Sequence, residues 1–316
     1  MRTVPLGSTD IQVPNIVAGM MRIAGKSDEH IRALYAAARE NGVTYFDHAD
    51  LYGFNHPGGG PHLCEERFAG ALQLSSAERE EIVLQTKTSI VGGDTWHYDQ
   101  SYEHIVGSVD RSLRALGTDY IDVLLLHRPD ALVEPEEVAR AFDDLEAAGK
   151  VRHFGVSNHT PGQIELLRTA VRQNLVANQL QLSLTHANLV AQGLVANMND
   201  EPGAVSRDNG LLDYSRIHRM TIQAWSPFQR GFGGGVLLGN PELPELNTEL
   251  ERLAAKYDVT PTGIATAWLT RHPAHMQVVL GTTTPSRIAE AVAGSDLPLT
   301  RPEWYGLLQK AGHRVP

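Results

Sequence analysis

Four residues of complementary chemistry stand where apolar, strand-like runs end: Asp47, Tyr52, Lys87 and His127. Asp47 and Tyr52 lie in Phe46-Asp47-His48-Ala49-Asp50-Leu51-Tyr52-Gly53, directly after Val43-Thr44-Tyr45. Lys87 closes Ile82-Val83-Leu84-Gln85-Thr86, and His127 closes Ile121-Asp122-Val123-Leu124-Leu125-Leu126. A carboxylate, a phenol, an amine and an imidazole are the parts needed to give a proton to a carbonyl oxygen. A free phenol, with pKa about 10, is a reluctant acid, and a nearby ammonium stabilises its phenolate. Lys87 would supply that charge, a carboxylate would hold the ammonium, and His127 would hydrogen-bond the carbonyl oxygen. Position alone leaves Asp47 and Asp50 as equal candidates for the carboxylate. Singly, each residue also has a structural reading: a turn cap, a packed aromatic, a surface lysine, a core histidine. Their joint placement at strand ends is what argues for chemistry.

The elements that must position them alternate between strand and helix almost without interruption. Leu6-Gly7-Ser8-Thr9-Asp10 reads as the turn of an opening hairpin. Strands are expected at 16–18, 43–47, 82–87, 121–126, 151–156, 175–180, 221–225 and 277–280, with helical spacing between them. Asn41-Gly42 and Gly149 mark helix ends, and Thr160-Pro161-Gly162-Gln163 is a capping box with proline at the first helical position. Thr260-Pro261 and Thr284-Pro285 repeat the threonine-cap, proline-start signal, and Thr300-Arg301-Pro302-Glu303 opens a supernumerary last helix.

About eight βα units predict a single (β/α)8 TIM barrel over residues 1–316, with an N-terminal β-hairpin and a C-terminal extra helix. An open doubly wound sheet would want a glycine-rich turn after the first strand, and Ala18-Gly19-Met20-Met21 offers one glycine. The longest non-periodic stretches, 52–63, 88–100, 181–208 and 226–246, all follow strands, which places function at the C-terminal face of the barrel. Asn199-Asp200-Glu201-Pro202-Gly203 reads as a lid.

Composition narrows the class. At 316 residues, 42% hydrophobic and 20% charged, the chain has material for a substantial core. A net charge of −10 argues against nucleic acid as partner. No run reaches the roughly 18 apolar residues of a membrane span, and Met1-Arg2-Thr3-Val4-Pro5 lacks a signal-peptide core. Cys64, the single cysteine, has no internal disulfide partner, which fits a cytoplasmic protein. No coiled-coil seam or swapped element is visible, so a monomer is expected.

The chain resembles the aldo-keto reductase superfamily essentially end to end. It is most similar to a bacterial oxidoreductase branch sharing Asp-His-Ala-Asp-Leu/Ile-Tyr-Gly, His-Arg-Pro-Asp and Gly-Lys-Val-Arg-His-Phe-Gly-Val-Ser-Asn, here Asp47–Gly53, His127–Asp130 and Gly149–Asn158. The resemblance implies reduction of a small aldehyde or ketone by hydride transfer from NADPH, with Tyr52 as proton donor and Asp47, Lys87 and His127 beside it. It selects Asp47 over Asp50.

The resemblance also implies a nicotinamide site without a Rossmann motif. Ser157, Asn158 and Gln179 would hold the carboxamide, and Trp225 would stack on the ring in place of the family's usual tyrosine. Ser226-Pro227-Phe228 would begin a loop over the diphosphate, joined by the flexible Gly231–Gly235 stretch. In Gly281-Thr282-Thr283-Thr284-Pro285-Ser286-Arg287, a strand meets a helix N-terminus suited to an anion. Thr282 and Arg287 match 2′-phosphate ligands, and Glu290 matches an adenine contact. Two departures weaken the pattern: a common lysine is Gly281 here, and an adenine-reading asparagine is Ala291.

Met20, Met21, Trp96, Tyr98, Arg128 and the loop beyond Gln181 are candidates for substrate specificity. Trp96 and Tyr98 could form an apolar wall, and Arg128 either attracts an anion or pairs with Asp130 as a brace, the latter being the expectation. Fourteen histidines show no strong metal spacing, so no metal is expected. Two other functions use the same residues. Lys87 could form a Schiff base in a lyase, or the chain could be a non-catalytic nicotinamide-binding regulatory subunit.

Overall fold

The structure, a computed structural model, describes residues 1–196, 198, 208–231 and 233–316. Two short strands, β1 (Thr3–Pro5) and β2 (Gln12–Pro14), open the chain as an antiparallel hairpin. Then follow β3 (Ile16–Gly19), β4 (Tyr45–Asp47), β5 (Val83–Thr88), a small ribbon of β6 (Ile90–Val91) and β7 (His97–Tyr98), and β8 (Ile121–Leu126). The last strands are β9 (Val151–Ser157), β10 (Leu175–Gln181), β11 (Thr221–Trp225) and β12 (Gln277–Leu280). Eight of them, β3, β4, β5, β8, β9, β10, β11 and β12, pair in parallel and close into a barrel, β9 bonding to β10 to complete the ring. The chain is therefore the eight-stranded barrel that the alternation predicts.

Helices between the strands cover the outside. They are α1 (Asp28–Glu40), α2 (Leu63–Leu72), α3 (Ser76–Glu80), α4 (Tyr102–Leu116), α5 (Pro135–Ala147), α6 (Pro161–Arg168), α7 (Asn188–Leu194), α8 (Leu211–Ile217), α9 (Pro244–Tyr257), α10 (Pro261–Thr270), α11 (Pro285–Gly294) and α12 (Arg301–Lys310). Helix α4 shows how the local code works. Ser101 accepts from the His104 N–H at its start, Gly117 ends it at φ 62°, and Ile105 and Val109 face the apolar core. The capping box expected at Thr160 forms, and the last helix, expected to open at Thr300, begins with a capping box too. Thr284 does not cap: α11 begins at Pro285, but its side chain makes no capping hydrogen bond. Two further corrections concern loops. The stretch 181–208 contains α7, and 88–100 contains the β6–β7 ribbon. Seven residues are few enough for an amphipathic pattern to pass unnoticed. The lid expected at Asn199–Gly203 lies outside the described residues.

The hairpin closes the barrel's N-terminal end. Val4, Leu6 and Val13 pack with Val17, Tyr45, Val123, Leu125, Val176 and Val279 in one apolar cluster. Gly7, at φ 58°, donates its N–H to Thr221 Oγ1 at 2.7 Å and lies so close to β10 that a Cβ would sit 2.6 Å from the Val176 carbonyl oxygen. At the far side of the sequence, α12 docks through Trp304, which stacks on Trp268 at 5.1 Å; each indole N–H donates to the other residue's carbonyl. With one end plugged, chemistry is left to the other. Among the described residues, no helix is long and apolar enough to cross a membrane.

Candidate active site

Asp47 is the last residue of β4, Lys87 lies next to the end of β5, and His127 follows β8. The parallel barrel thus gathers them at one rim. Lys87 is fully buried, and its ammonium has three neighbours: an Asp47 carboxylate oxygen at 2.7 Å, the His48 carbonyl at 2.7 Å and the Tyr52 hydroxyl at 3.0 Å. Every hydrogen of the ammonium is used. Burial would lower its pKa, but Asp47 and Tyr52 more than offset that, and the net shift is upward. The His127 ring meets the Tyr52 ring edge-on, centroids 5.9 Å apart. All four predicted residues are brought together.

Two electrostatic details refine the expectation. Burial raises the Tyr52 phenol above its ordinary value, and the Lys87 ammonium lowers it without reversing the shift. Tyr52 is therefore protonated at neutral pH, with an ammonium placed to limit the cost of forming its phenolate. His127 is held well below its usual value by burial first, then by Lys87 and Arg128. It is a neutral imidazole, with a buried Nδ1 that has no partner among the described residues. Asp50, which position alone could not exclude, turns away and accepts from Ser108 at 2.8 Å; burial pushes its carboxyl up to about 6.

Beneath Asp47 lies a polar layer that sequence reasoning missed. Gln85 and Gln179 donate to the same Asp47 oxygen, at 2.6 and 3.0 Å, and both also donate to Gln223 Oε1, at 2.9 and 3.1 Å. Gln223 donates to Gln277 at 2.9 Å, and Tyr45 to Gln85 at 2.8 Å. Strand register aligns them: Asp47 opposite Gln85, Gln179 opposite Gln223, Gln223 opposite Gln277. The available signal was a glutamine within each of four apolar strands. A fully satisfied buried network of this kind fixes its members in place.

The predicted cofactor residues fall into two groups along the same rim. Ser157 ends β9, and Asn158 follows at φ 60°. Asn158 donates to Ser157 Oγ at 2.8 Å and to the His127 carbonyl at 3.3 Å, and accepts from the Trp225 indole N–H at 3.1 Å. Gln179 sits lower, committed to Asp47 and Gln223. Trp225 ends β11, half-buried, and Ser226 follows at φ 51°. Phe228 packs partly buried at the core edge. Phe232 of the glycine-rich loop lies outside the described residues.

The second group follows β12. The Gly281 carbonyl accepts from Arg22 at 2.9 Å, and Thr282 Oγ1 accepts from the Thr284 N–H at 3.0 Å. Arg287 is exposed and in no ion pair among the described residues, and Glu290 accepts weakly from Thr260 at 3.4 Å. A half-buried indole beside a fixed amide, and an uncapped helix start free of acidic side chains in its first turn, fit the two ends of a nicotinamide dinucleotide.

A cavity of about 470 Å³ opens beside the tetrad rather than over it, with none of the four residues in its wall. It joins the site through Arg128, Asn158 and Trp225, and continues past Gln181, His186 and Asp208. Arg128 does not brace Asp130, whose carboxylate accepts instead from the backbone of Gln100 and Leu132. Trp96 and Tyr98 are about half exposed on the β6–β7 ribbon, where Trp96 meets Phe54 edge-on at 5.4 Å. Met21 is exposed and Met20 buried.

Residues 15–310 match the sequence model of the Aldo/keto reductase family. The chain belongs to that family. Its relatives include a 6-dehydroglucose reductase of Agrobacterium fabrum, 34% identical over 310 residues and covering 95% of each chain. Another is an uncharacterised oxidoreductase, YcsN, of Bacillus subtilis, 34% identical over 97% of each chain. The thermostable aldo-keto reductase Tm1743, solved with the inhibitor epalrestat, superimposes with a TM-score of 0.75 over 98% of this chain and all of that one. At 22% identity that likeness shows the shared barrel.

Proposed function

We propose that this aldo/keto reductase family member reduces a small carbonyl compound with NADPH, Tyr52 giving the proton. The arrangement that carries the reading is Lys87, its three hydrogens spent on Asp47, the His48 carbonyl and the Tyr52 hydroxyl. When bound, the nicotinamide supplies hydride to the carbonyl carbon. Tyr52 hydrogen-bonds the carbonyl oxygen and releases its proton to it. Lys87 stabilises the phenolate left behind, Asp47 keeps Lys87 charged, and neutral His127 is a second hydrogen-bond donor to the same oxygen. Asn158 and Trp225 hold the ring. A Schiff-base role for Lys87 fits poorly, since an imine needs a free amine and this one is held as an ammonium.

The neighbouring cavity sets polar groups among the apolar walls of Leu180, Leu189 and Leu211. Arg128, Asn158, Gln181, His186 and Asp208 line it with donors and acceptors, which suits a hydroxyl-bearing aldehyde. Relatives named as 6-dehydroglucose reductases support the same class. The test is a panel of sugar aldehydes and simple apolar aldehydes followed by NADPH absorbance. Preference for the hydroxylated compounds is expected. Cofactor binding without turnover of any carbonyl would turn the reading toward a regulatory role.

A further inference from the structure

The loop after β12 lacks a side chain at Gly281, yet that space is not empty of charge. A Cβ built on Gly281 would lie 3.4 Å from Arg22 Nη1 and 3.7 Å from its guanidinium carbon, with no other heavy atom within 4 Å. Arg22 comes from the opposite side of the barrel seam, from the loop after β3, and is anchored by donating to the Gly281 carbonyl at 2.9 Å. The same loop is tied down again by His30, whose ring nitrogen lies 2.6 Å from the Thr283 carbonyl. Arg22 is exposed and, like Arg287, is in no ion pair among the described residues. Four residues beyond Gly281, α11 starts at Pro285 with an uncapped end and no acidic residue in its first turn.

We propose that Arg22 is a cofactor-specificity residue, supplying from the β3–α1 loop the positive charge that residue 281 does not carry, to the 2′-phosphate of NADPH. Glycine at 281 is then part of the device: a longer side chain would crowd the guanidinium that replaces it. One hydrogen of Nη1 goes to the Gly281 carbonyl, and the remaining N–H groups of the fork are free for phosphate oxygens, the geometry in which guanidinium binds best. This rests on the cofactor reading above.

Dissociation constants for NADPH, NADH and the fragment 2′,5′-ADP would be measured by tryptophan fluorescence and calorimetry on the whole protein. Arg22→Gln, which keeps a donor for the Gly281 carbonyl but removes the charge, should weaken NADPH and 2′,5′-ADP by about 10- to 100-fold, the worth of a charged hydrogen bond. NADH should change by less than about 3-fold. Combining Arg22→Ala with Gly281→Lys should restore most of the NADPH affinity, because the lysine then enters the vacated space. Unaltered NADPH binding in Arg22→Gln overturns the proposal, as does an equal loss of NADH, which would make Arg22 a loop brace only. Failure of the wild-type chain to bind either dinucleotide would overturn the cofactor reading itself, and this one with it.

Discussion

Lys87 and Tyr52 make separate demands on the same few ångströms, and substitution can separate them. Tyr52→Phe removes the proposed proton donor but keeps the ring, so reduction should fall by about 10²–10⁴-fold while NADPH affinity stays within a few-fold of wild type. Steady-state rates with fluorescence titration check this, and unchanged turnover would remove the phenol from its role. Lys87→Met is different in kind. It leaves the Asp47 carboxylate buried, 2% exposed, without its counter-ion. Breaking one side of such a pair costs about 3–5 kcal/mol, so urea unfolding should shift markedly; adding Asp47→Asn should recover much of that loss without recovering activity. Arg287→Ala should weaken NADPH far more than NADH, and an equal effect on both would place the 2′-phosphate elsewhere. The choice between Asp47 and Asp50 also shows where sequence stops. Asp47 and Asp50 are three residues apart and chemically identical, yet Asp47 ends β4 and meets Lys87, whereas Asp50 lies in the turn beyond the strand and goes to Ser108.

At the scale of elements, the barrel's two ends have opposite duties. The N-terminal hairpin buries Val4, Leu6 and Val13 against strand starts, leaving the C-terminal rim to carry chemistry. Gly7 is the tightest point of that plug. Gly7→Val would force a side chain into the Val176 backbone at a positive φ, and should destabilise the fold by about 1–3 kcal/mol, read as a lower urea midpoint with unchanged cofactor affinity in the folded protein. Loss of cofactor binding at equal folded fraction would contradict the division of labour. The glutamine layer is another product of elements. Gln85, Gln179, Gln223 and Gln277 are unremarkable in sequence, and only the register of neighbouring strands places them in one plane under Asp47.

At the scale of the whole molecule, burial sets the response to acid. Burial holds His48 down to about 3 and His159 and His272 to about 4, with Lys87 adding to the effect at His48, and His127 lies well below its usual value. The unfolded chain takes up these protons below about 6.5 and the folded chain does not. Stability is therefore fully present above about 6.5 and is lost as pH falls from there toward about 4. Asp50 works the other way, since the folded protein keeps its proton between about 6 and its ordinary 3.8, offsetting roughly one imidazole. Several histidines against one carboxyl leaves a net loss. The urea midpoint should fall steadily between pH 6.5 and 4, and a flat profile would show that these rings are not buried neutral.

Sequence by itself was enough for the barrel, its hairpin and extra helix, and for singling out the four polar residues that the rim gathers, because periodicity, capping signals and residue chemistry are all written locally. Apolar strands ending in Asp47, Lys87 and His127 needed no coordinates to be noticed. Tertiary structure alone decided matters that depend on distance: that Lys87 spends its hydrogens on Asp47, His48 and Tyr52, that Asp50 goes to Ser108, that Arg128 leaves Asp130, and that Arg22 fills the place over Gly281. Arg22 and Gly281 are 259 residues apart in the chain. Closing a barrel brings its first and last strands side by side, and no local pattern records which side chain then crosses the seam.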